Sequence, residues 1–168
     1  MVALNDEHNA DVLAAIAWVK KQSGIDPARV VVSGCSFGGI QTMITAAKNA
    51  GIRAAVPFAP GAIMWGRTPE LRERLTRAAR EAKVPEFLVR AENDYDVSPS
   101  KVAGAELEKI GHGRNQVHIY PAYGTTAQDG HGRFCTRGFD IWGPDVLEFL
   151  DRATKSAKPQ PKAGSKRP

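Results

Sequence analysis

Residues 30–50 read VVVSGCSFGGIQTMITAAKNA and contain the signal that decides the fold. The three valines at 30–32 predict a short buried strand, and the segment that begins at Ile40 is compatible with a helix. Between them, residues 34–38 form a G-x-S-x-G pentapeptide centred on Ser36. Where such a pentapeptide joins a strand to a helix, the serine occupies a strained turn and its hydroxyl projects above the sheet. The stretch therefore predicts a strand, a sharp turn that presents Ser36, and a helix.

The glycines around Ser36 resemble those of the α/β-hydrolase superfamily, and the pair Gly38 and Gly39 is similar to the dienelactone hydrolase and prolyl oligopeptidase branches. The dienelactone hydrolases proper use a cysteine as nucleophile, which makes Cys35 the rival of Ser36. If Cys35 were the central residue, however, a serine and a phenylalanine would stand where the two glycines are required. The register therefore favours Ser36 as the nucleophile and makes Cys35 a small buried residue at the base of the turn.

The composition is that of one globular domain followed by a basic tail. A chain of 168 residues with 42% hydrophobic residues can bury one core, which we place in residues 1–153. The Pro-rich segment 154–168 has five basic residues and no acid, so it accounts for the whole net charge of +5. We expect this tail to be disordered and not to bind nucleic acid. No apolar run approaches the length of a membrane-spanning helix, so no membrane contact is expected.

The cysteines and histidines give little further guidance. Cys35 and Cys135 make no disulfide framework, and they leave the cellular compartment open. Neither residue type occurs with the spacing of metal ligands, so we expect no metal and no cofactor.

Strand and helix patterns alternate along the rest of the chain. Helices are predicted at residues 11–22, from Pro69 after a Thr68 cap, from Ser98 and Pro99, and from Gly143 and Pro144, and strands at residues 30–32, 54–59, 87–91 and 116–120. A loop of about twenty residues, 121–142, precedes the last helix. The alternation predicts an α/β fold with a parallel sheet and helices on both faces, in three layers α/β/α. The resemblance identifies it with the C-terminal half of an α/β-hydrolase fold, over about residues 5–152.

The resemblance also implies a triad of serine, acid and histidine, in that chain order and each on a loop after a strand. Asp94 stands where these families place the acid, although Ala91 replaces the glycine of their G-x-x-D pattern. Asp96 is the alternative, since its charge could instead favour the start of the next helix. His131 lies between two glycines in the long loop, which suits a ring that must reach across the site. We therefore predict Ser36, Asp94 and His131 as the catalytic residues.

The other three histidines are predicted to lie outside this site. His8 precedes the first predicted helix and His112 follows the helix-terminating Gly111, so both are expected in solvent. His118 lies inside a predicted strand, where a ring is more often packed than catalytic.

An oxyanion formed at Ser36 needs two hydrogen-bond donors. One should be the backbone N–H of Phe37, and the other normally comes from a loop after the third strand of the complete fold. We find no such loop in these residues and expect a partial hydrolase domain with impaired catalysis. Val30, Val31 and Val32 would then form an unpaired apolar edge that favours self-association.

By resemblance alone, Met64 and Trp65 are expected to contact the substrate. Ordinary packing under a surface helix is the alternative for both. The predicted function is a serine hydrolase that cleaves an ester or lactone of a small molecule. A serine peptidase of the prolyl oligopeptidase type and a non-catalytic hydrolase remnant remain as alternatives.

Overall fold

The computed structural model describes residues 2–48, 50–111 and 114–155. Its helices are α1 Val2–Val19, α2 Phe37–Ala47, α3 Pro69–Arg80, α4 Ser98–Lys109, α5 Phe134–Arg137 and α6 Phe139–Lys155, and its strands are β1 Val32–Cys35, β2 Ala55–Phe58, β3 Phe87–Ala91 and β4 Gln116–Tyr120. A single π-helical turn, Asp129–Arg133, precedes α5. Strand and helix thus alternate from β1 onward, as the sequence predicts.

The four strands form one sheet in the order β1-β2-β3-β4, and every neighbouring pair is parallel. Each parallel step needs a crossover, and α2, α3 and α4 supply the three crossovers. The carboxyl ends of all four strands therefore meet at one edge of the sheet, where open α/β sheets bind ligands. Among the described residues, β1 pairs with β2 alone.

The side chains of β3 show how the sheet separates two apolar cores. Phe87, Val89 and Ala91 pack on one face in a cluster with Phe134 of α5 and with Val146 and Phe149 of α6. Leu88 points to the other face, into a cluster formed by α2, α3 and α4. This two-residue alternation confirms the predicted three-layer α/β/α arrangement with helices on both faces of the sheet.

The first helix and the first strand differ from the predicted bounds. The helix begins at Val2, nine residues before residue 11. Within this added part Asn9 is fully buried and holds the helix on α2 by hydrogen bonds to the Gln41 carbonyl (3.3 Å) and the Thr45 hydroxyl (2.9 Å). A search for apolar periodicity overlooks such a polar anchor. The strand runs over Val32–Cys35 and not over residues 30–32, because ladder pairing with β2 continues until Cys35 lies opposite Phe58.

The segment 121–142, predicted as one long loop, contains the π-helical turn, α5 and the start of α6. The last helix begins at Phe139, so Pro144 lies inside it and does not open it. The indole N–H of Trp142 donates to the Phe134 carbonyl (2.9 Å), which packs the start of α6 onto α5. The predicted tail, residues 154–168, lies outside the described residues except for Thr154 and Lys155, which complete α6.

Cys35 and Cys135 form a disulfide, whereas the sequence predicted no disulfide framework and only a small buried residue at Cys35. The bond links the last residue of β1 to α5 across a sequence separation of 100 residues. Sequence spacing cannot reveal such a pair, because only the fold brings β1 and α5 together. In the part of the chain that the structure describes, no helix has the length and apolar character needed to cross a bilayer.

Candidate active site

The turn between β1 and α2 places Ser36 in a backbone conformation that residues other than glycine rarely adopt, with φ 56° and ψ −110°. Its N–H donates to the Phe58 carbonyl (2.9 Å), which holds the turn against β2. A Cβ on Gly39 would lie 2.5 Å from that same carbonyl oxygen, and a Cβ on Gly34 would lie 2.6 Å from the Gly38 backbone. These contacts explain why the strained turn needs glycines at both positions.

Ser36, His131 and Asp94 form one continuous chain of hydrogen bonds. The Ser36 Oγ lies 2.8 Å from His131 Nε2, and His131 Nδ1 lies 2.8 Å from Asp94 Oδ1. An ionised carboxylate only accepts hydrogen bonds, so the tautomer that suits this geometry donates from Nδ1 to Asp94 and accepts the serine hydroxyl at Nε2. The imidazole and the carboxylate are both buried, with 4% and 8% of each residue exposed.

His131 is held in place by close packing between its turn and Asn93, in the loop after β3. The Asn93 side chain donates to the carbonyls of Tyr123 and Thr126 (3.0 Å each) and accepts from the Tyr123 N–H (2.9 Å). A Cβ on Gly130 would come within 2.3 Å of the Asn93 amide oxygen. The glycine before His131 therefore allows the turn to lie directly on the loop that carries Asp94.

Asp94 uses its two carboxylate oxygens for different partners. Oδ1 accepts from His131 and from the Tyr95 N–H (2.7 Å), while Oδ2 accepts from the Arg90 guanidinium (2.6 Å). Burial lowers the pKa of Arg90, although the charges of Asp94 and Asp96 act in the opposite direction. The alternative acid, Asp96, instead caps α4 by accepting from the Ser98 N–H (2.8 Å).

Phe37 is the first residue of α2, beside Ser36. The N–H groups of a first helical turn have no intrahelical partner, and they carry the partial positive charge of the helix N-terminus. The Phe37 side chain is 41% exposed, and its ring meets the His8 ring edge-on at 5.3 Å between centroids. The geometry leaves the Phe37 N–H able to donate to an anion that forms at Ser36.

The segment that contains Met64 and Trp65 lies under α3. Trp65 is 7% exposed and belongs to the core cluster of α2, α3 and α4, and Met64 packs partly against the same cluster. This is the ordinary packing named as the alternative for both residues. Their neighbour Ile63 is half exposed and lines a cavity of about 380 Å³ together with Arg67 and Tyr95. The Tyr95 ring lies 5.5 Å from the His131 ring, so this cavity adjoins the candidate site.

His8, His118 and Cys35 take no part in the hydrogen-bond chain of Ser36, His131 and Asp94. His8 lies within α1, His118 is an exposed residue of β4 near Asp145 (3.3 Å), and His112 lies outside the described residues. Cys35 is half-buried, and its sulfur is bonded to Cys135, so it offers no thiolate to act as a nucleophile.

Sequence reasoning missed Arg90 and Asn93, both of which hold the site together from β3 or the loop after it. A charged residue in the middle of an otherwise apolar strand, as in the segment EFLVRAEN, is a signal that could have found Arg90. Asn93 carries no comparable signal, because asparagine is common in any loop.

Comparison with known proteins places the chain in a family. The model of the dienelactone hydrolase family matches residues 2–136. No curated protein sequence matches the chain. An esterase from Pyrococcus furiosus is similar in structure, with a TM-score of 0.69 at 18% sequence identity over 89% of this chain and 63% of the esterase.

Two peptidases share the fold as well. The acylaminoacyl peptidase of Pyrococcus horikoshii has a TM-score of 0.66 at 17% identity over 90% of this chain and 28% of its own. A puromycin-hydrolyzing peptidase of Mycobacterium tuberculosis has a TM-score of 0.63 at 16% identity, over 87% and 25%. The chain thus spans less than two thirds of the length of these structural neighbours. Because the family model matches residues 2–136, the greater part of the sequence, the chain belongs to the dienelactone hydrolase family of α/β-hydrolases.

Proposed function

We propose that this chain carries the catalytic centre of a serine hydrolase that cleaves an ester or lactone of a small molecule through an acyl-enzyme on Ser36. The hydrogen-bond chain from Ser36 through His131 to Asp94 is the observation that carries the proposal. A serine hydroxyl is a weak nucleophile at neutral pH and needs such a base, itself oriented by a carboxylate. Membership in a hydrolase family supports the same chemistry.

The proposed reaction has two stages. The Ser36 oxygen attacks the carbonyl carbon as its proton moves to His131 Nε2, and Asp94 stabilises the imidazolium that forms. The tetrahedral oxyanion accepts a hydrogen bond from the Phe37 N–H and collapses as His131 gives the proton to the leaving alcohol oxygen. Water then attacks the acyl-serine with His131 again as base, which releases the acid and restores the serine.

Phe37 is the only oxyanion donor that we assign among the described residues. Removal of one donor from an oxyanion hole costs about 3 kcal/mol, or a hundredfold or more in rate. We therefore expect this chain by itself to turn over slowly compared with an enzyme that has two donors.

A fluorophosphonate probe, which reacts covalently with activated serines, tests the proposal. We expect labelling of the folded chain that disappears in Ser36→Ala and slows by about 10⁴-fold in Asp94→Asn. Asp96→Asn is the matched control, because that carboxylate contacts the Ser98 N–H and not His131, and it should label at close to the normal rate. A folded chain that does not react would instead support the non-catalytic remnant.

A serine peptidase is the second candidate, and the acylaminoacyl peptidase among the structural neighbours favours it. The two candidates differ in the bond that is cleaved. Turnover of p-nitrophenyl esters without turnover of the matching peptide p-nitroanilides supports the esterase, and comparable rates on both supports the peptidase.

A further inference from the structure

Arg90 places a charged guanidinium inside the core, and it has no role in the mechanism proposed above. It lies on β3, its residue exposure is 0%, and its side chain points to the face of the sheet covered by α2, α3 and α4. An ionised group leaves water only at a large cost in free energy unless partners replace its hydration. The partners of Arg90 therefore indicate why the chain keeps an arginine there.

The guanidinium contacts four acceptors in three separate segments. Nη1 donates to Asp94 Oδ2 and to the Asp96 carbonyl, at 2.6 Å each, and Nη2 donates to the Pro60 carbonyl after β2 at 2.6 Å. Nε donates to the Ser100 hydroxyl of α4 at 2.8 Å. The planar fork of an arginine can satisfy these directions together, whereas the single ammonium of a lysine cannot.

The ion pair with Asp94 has an electrostatic consequence for His131. Both side chains of the pair are fully buried, and the acid contacts the arginine through one oxygen and the imidazole through the other. The arginine therefore offsets the negative charge that the imidazole faces. Without that offset, a buried carboxylate would favour a protonated ring, which cannot accept the serine proton.

We propose that Arg90 is a positioning residue that holds the Asp94 carboxylate by its Oδ2 and offsets its charge, so that Oδ1 stays on His131 Nδ1 and Nε2 can act as a base toward Ser36. The inference rests on the proposed function, because only a hydrolase needs His131 as a base. The other groups that face His131 are the Ser36 hydroxyl and the Tyr95 ring, and on its own turn Asp129 is paired with Arg133 (2.5 Å).

The test is a titration of His131 by NMR in the full chain, which has four histidines to resolve and assign. We expect Arg90→Gln to move the titration midpoint of His131 upward by about one pH unit. The pH of half-maximal fluorophosphonate labelling should rise by the same amount. Arg90→Lys, which keeps the charge, and Ser100→Ala, which removes only the bond to Nε, should both leave the midpoint near that of the unmodified chain. A folded Arg90→Gln variant with an unshifted midpoint would overturn the proposal.

Arg90→Gln could prevent folding, so the double variant Arg90→Gln/Asp94→Asn provides a second measurement. If charge offset is the role of Arg90, the double variant unfolds at a higher urea concentration than Arg90→Gln alone, because the unpaired buried carboxylate is gone. If the double variant is no more stable, or if neither variant folds, Arg90 serves only its carbonyl partners and the proposal is wrong. An unmodified chain that fails to label overturns the hydrolase function alone, since the titration and the urea comparison do not depend on labelling.

Discussion

Reduction of the Cys35–Cys135 disulfide is expected to destabilise the chain strongly. The sulfurs join positions separated by 100 residues, so the bond removes much of the conformational freedom of the unfolded chain. For a closed loop of that size, the chain-entropy relation gives about 4.7 kcal/mol at 25 °C. With a urea dependence of about 2 kcal/mol per molar, the unfolding midpoint should fall by roughly 2 M.

Urea unfolding followed by circular dichroism, with and without a phosphine reductant, measures this shift. Alkylation and intact mass must show that two thiols have become free in the reduced sample. The double variant Cys35→Ala/Cys135→Ala is the control, because its midpoint should be low already and insensitive to the reductant. If the thiols are free and the midpoint moves by less than about 0.3 M, the loop-closure reasoning is wrong.

Three further predictions concern backbone packing, a buried acid and the sheet edge. Gly39→Ala should lower the free energy of unfolding, measured in urea, by about 1–3 kcal/mol, because its Cβ would lie 2.5 Å from the Phe58 carbonyl oxygen. Gly38→Ala is the control and should retain the fold, because a Cβ there meets no neighbouring atom within 4 Å. Equal losses in the two variants would contradict the packing argument. Burial raises the pKa of Glu86 well above 4.5, so above that pH the folded chain holds a proton that the unfolded chain releases. The free energy of unfolding should therefore fall as the pH rises above about 4.5, by up to about 1.4 kcal/mol per pH unit. Glu86→Gln should flatten that slope in pH-dependent thermal unfolding, and an unchanged slope would assign it to another group. Self-association through the edge of β1 should appear as a concentration-dependent mass in light scattering. A charge at the exposed residue of that strand, Ser33→Lys, should abolish it, and a constant monomer mass would exclude it.

The sequence predicted best what is encoded locally. The bounds of β3 and β4 match the predicted residues 87–91 and 116–120, because runs of β-branched, aromatic and aliphatic residues end there at polar or turn-forming ones. Pro69 likewise marks the start of α3. The parallel three-layer architecture followed from the alternation of these elements.

The parts that the sequence could not predict depend on contacts between distant segments. Arg90 reaches the Pro60 carbonyl, 30 residues away, and the disulfide joins residues 100 apart. Asn9 holds the first half of α1 on α2 through two polar contacts, and a search for apolar periodicity does not detect such contacts. Residues such as these can be recognised only when the fold has placed their partners beside them.

The order of the strands in the sheet equals their order along the chain, so the residues of the candidate site leave the ribosome one after another. A ribosome that synthesises 5–20 residues per second delivers the 95 residues from Ser36 to His131 in about 5 to 20 s. During that interval the nascent polypeptide has the proposed nucleophile, Ser36, but not the proposed base, His131. If the proposed function is right, reactivity is withheld until β4 and the turn after it have emerged, and a product released before that point would not react with substrate.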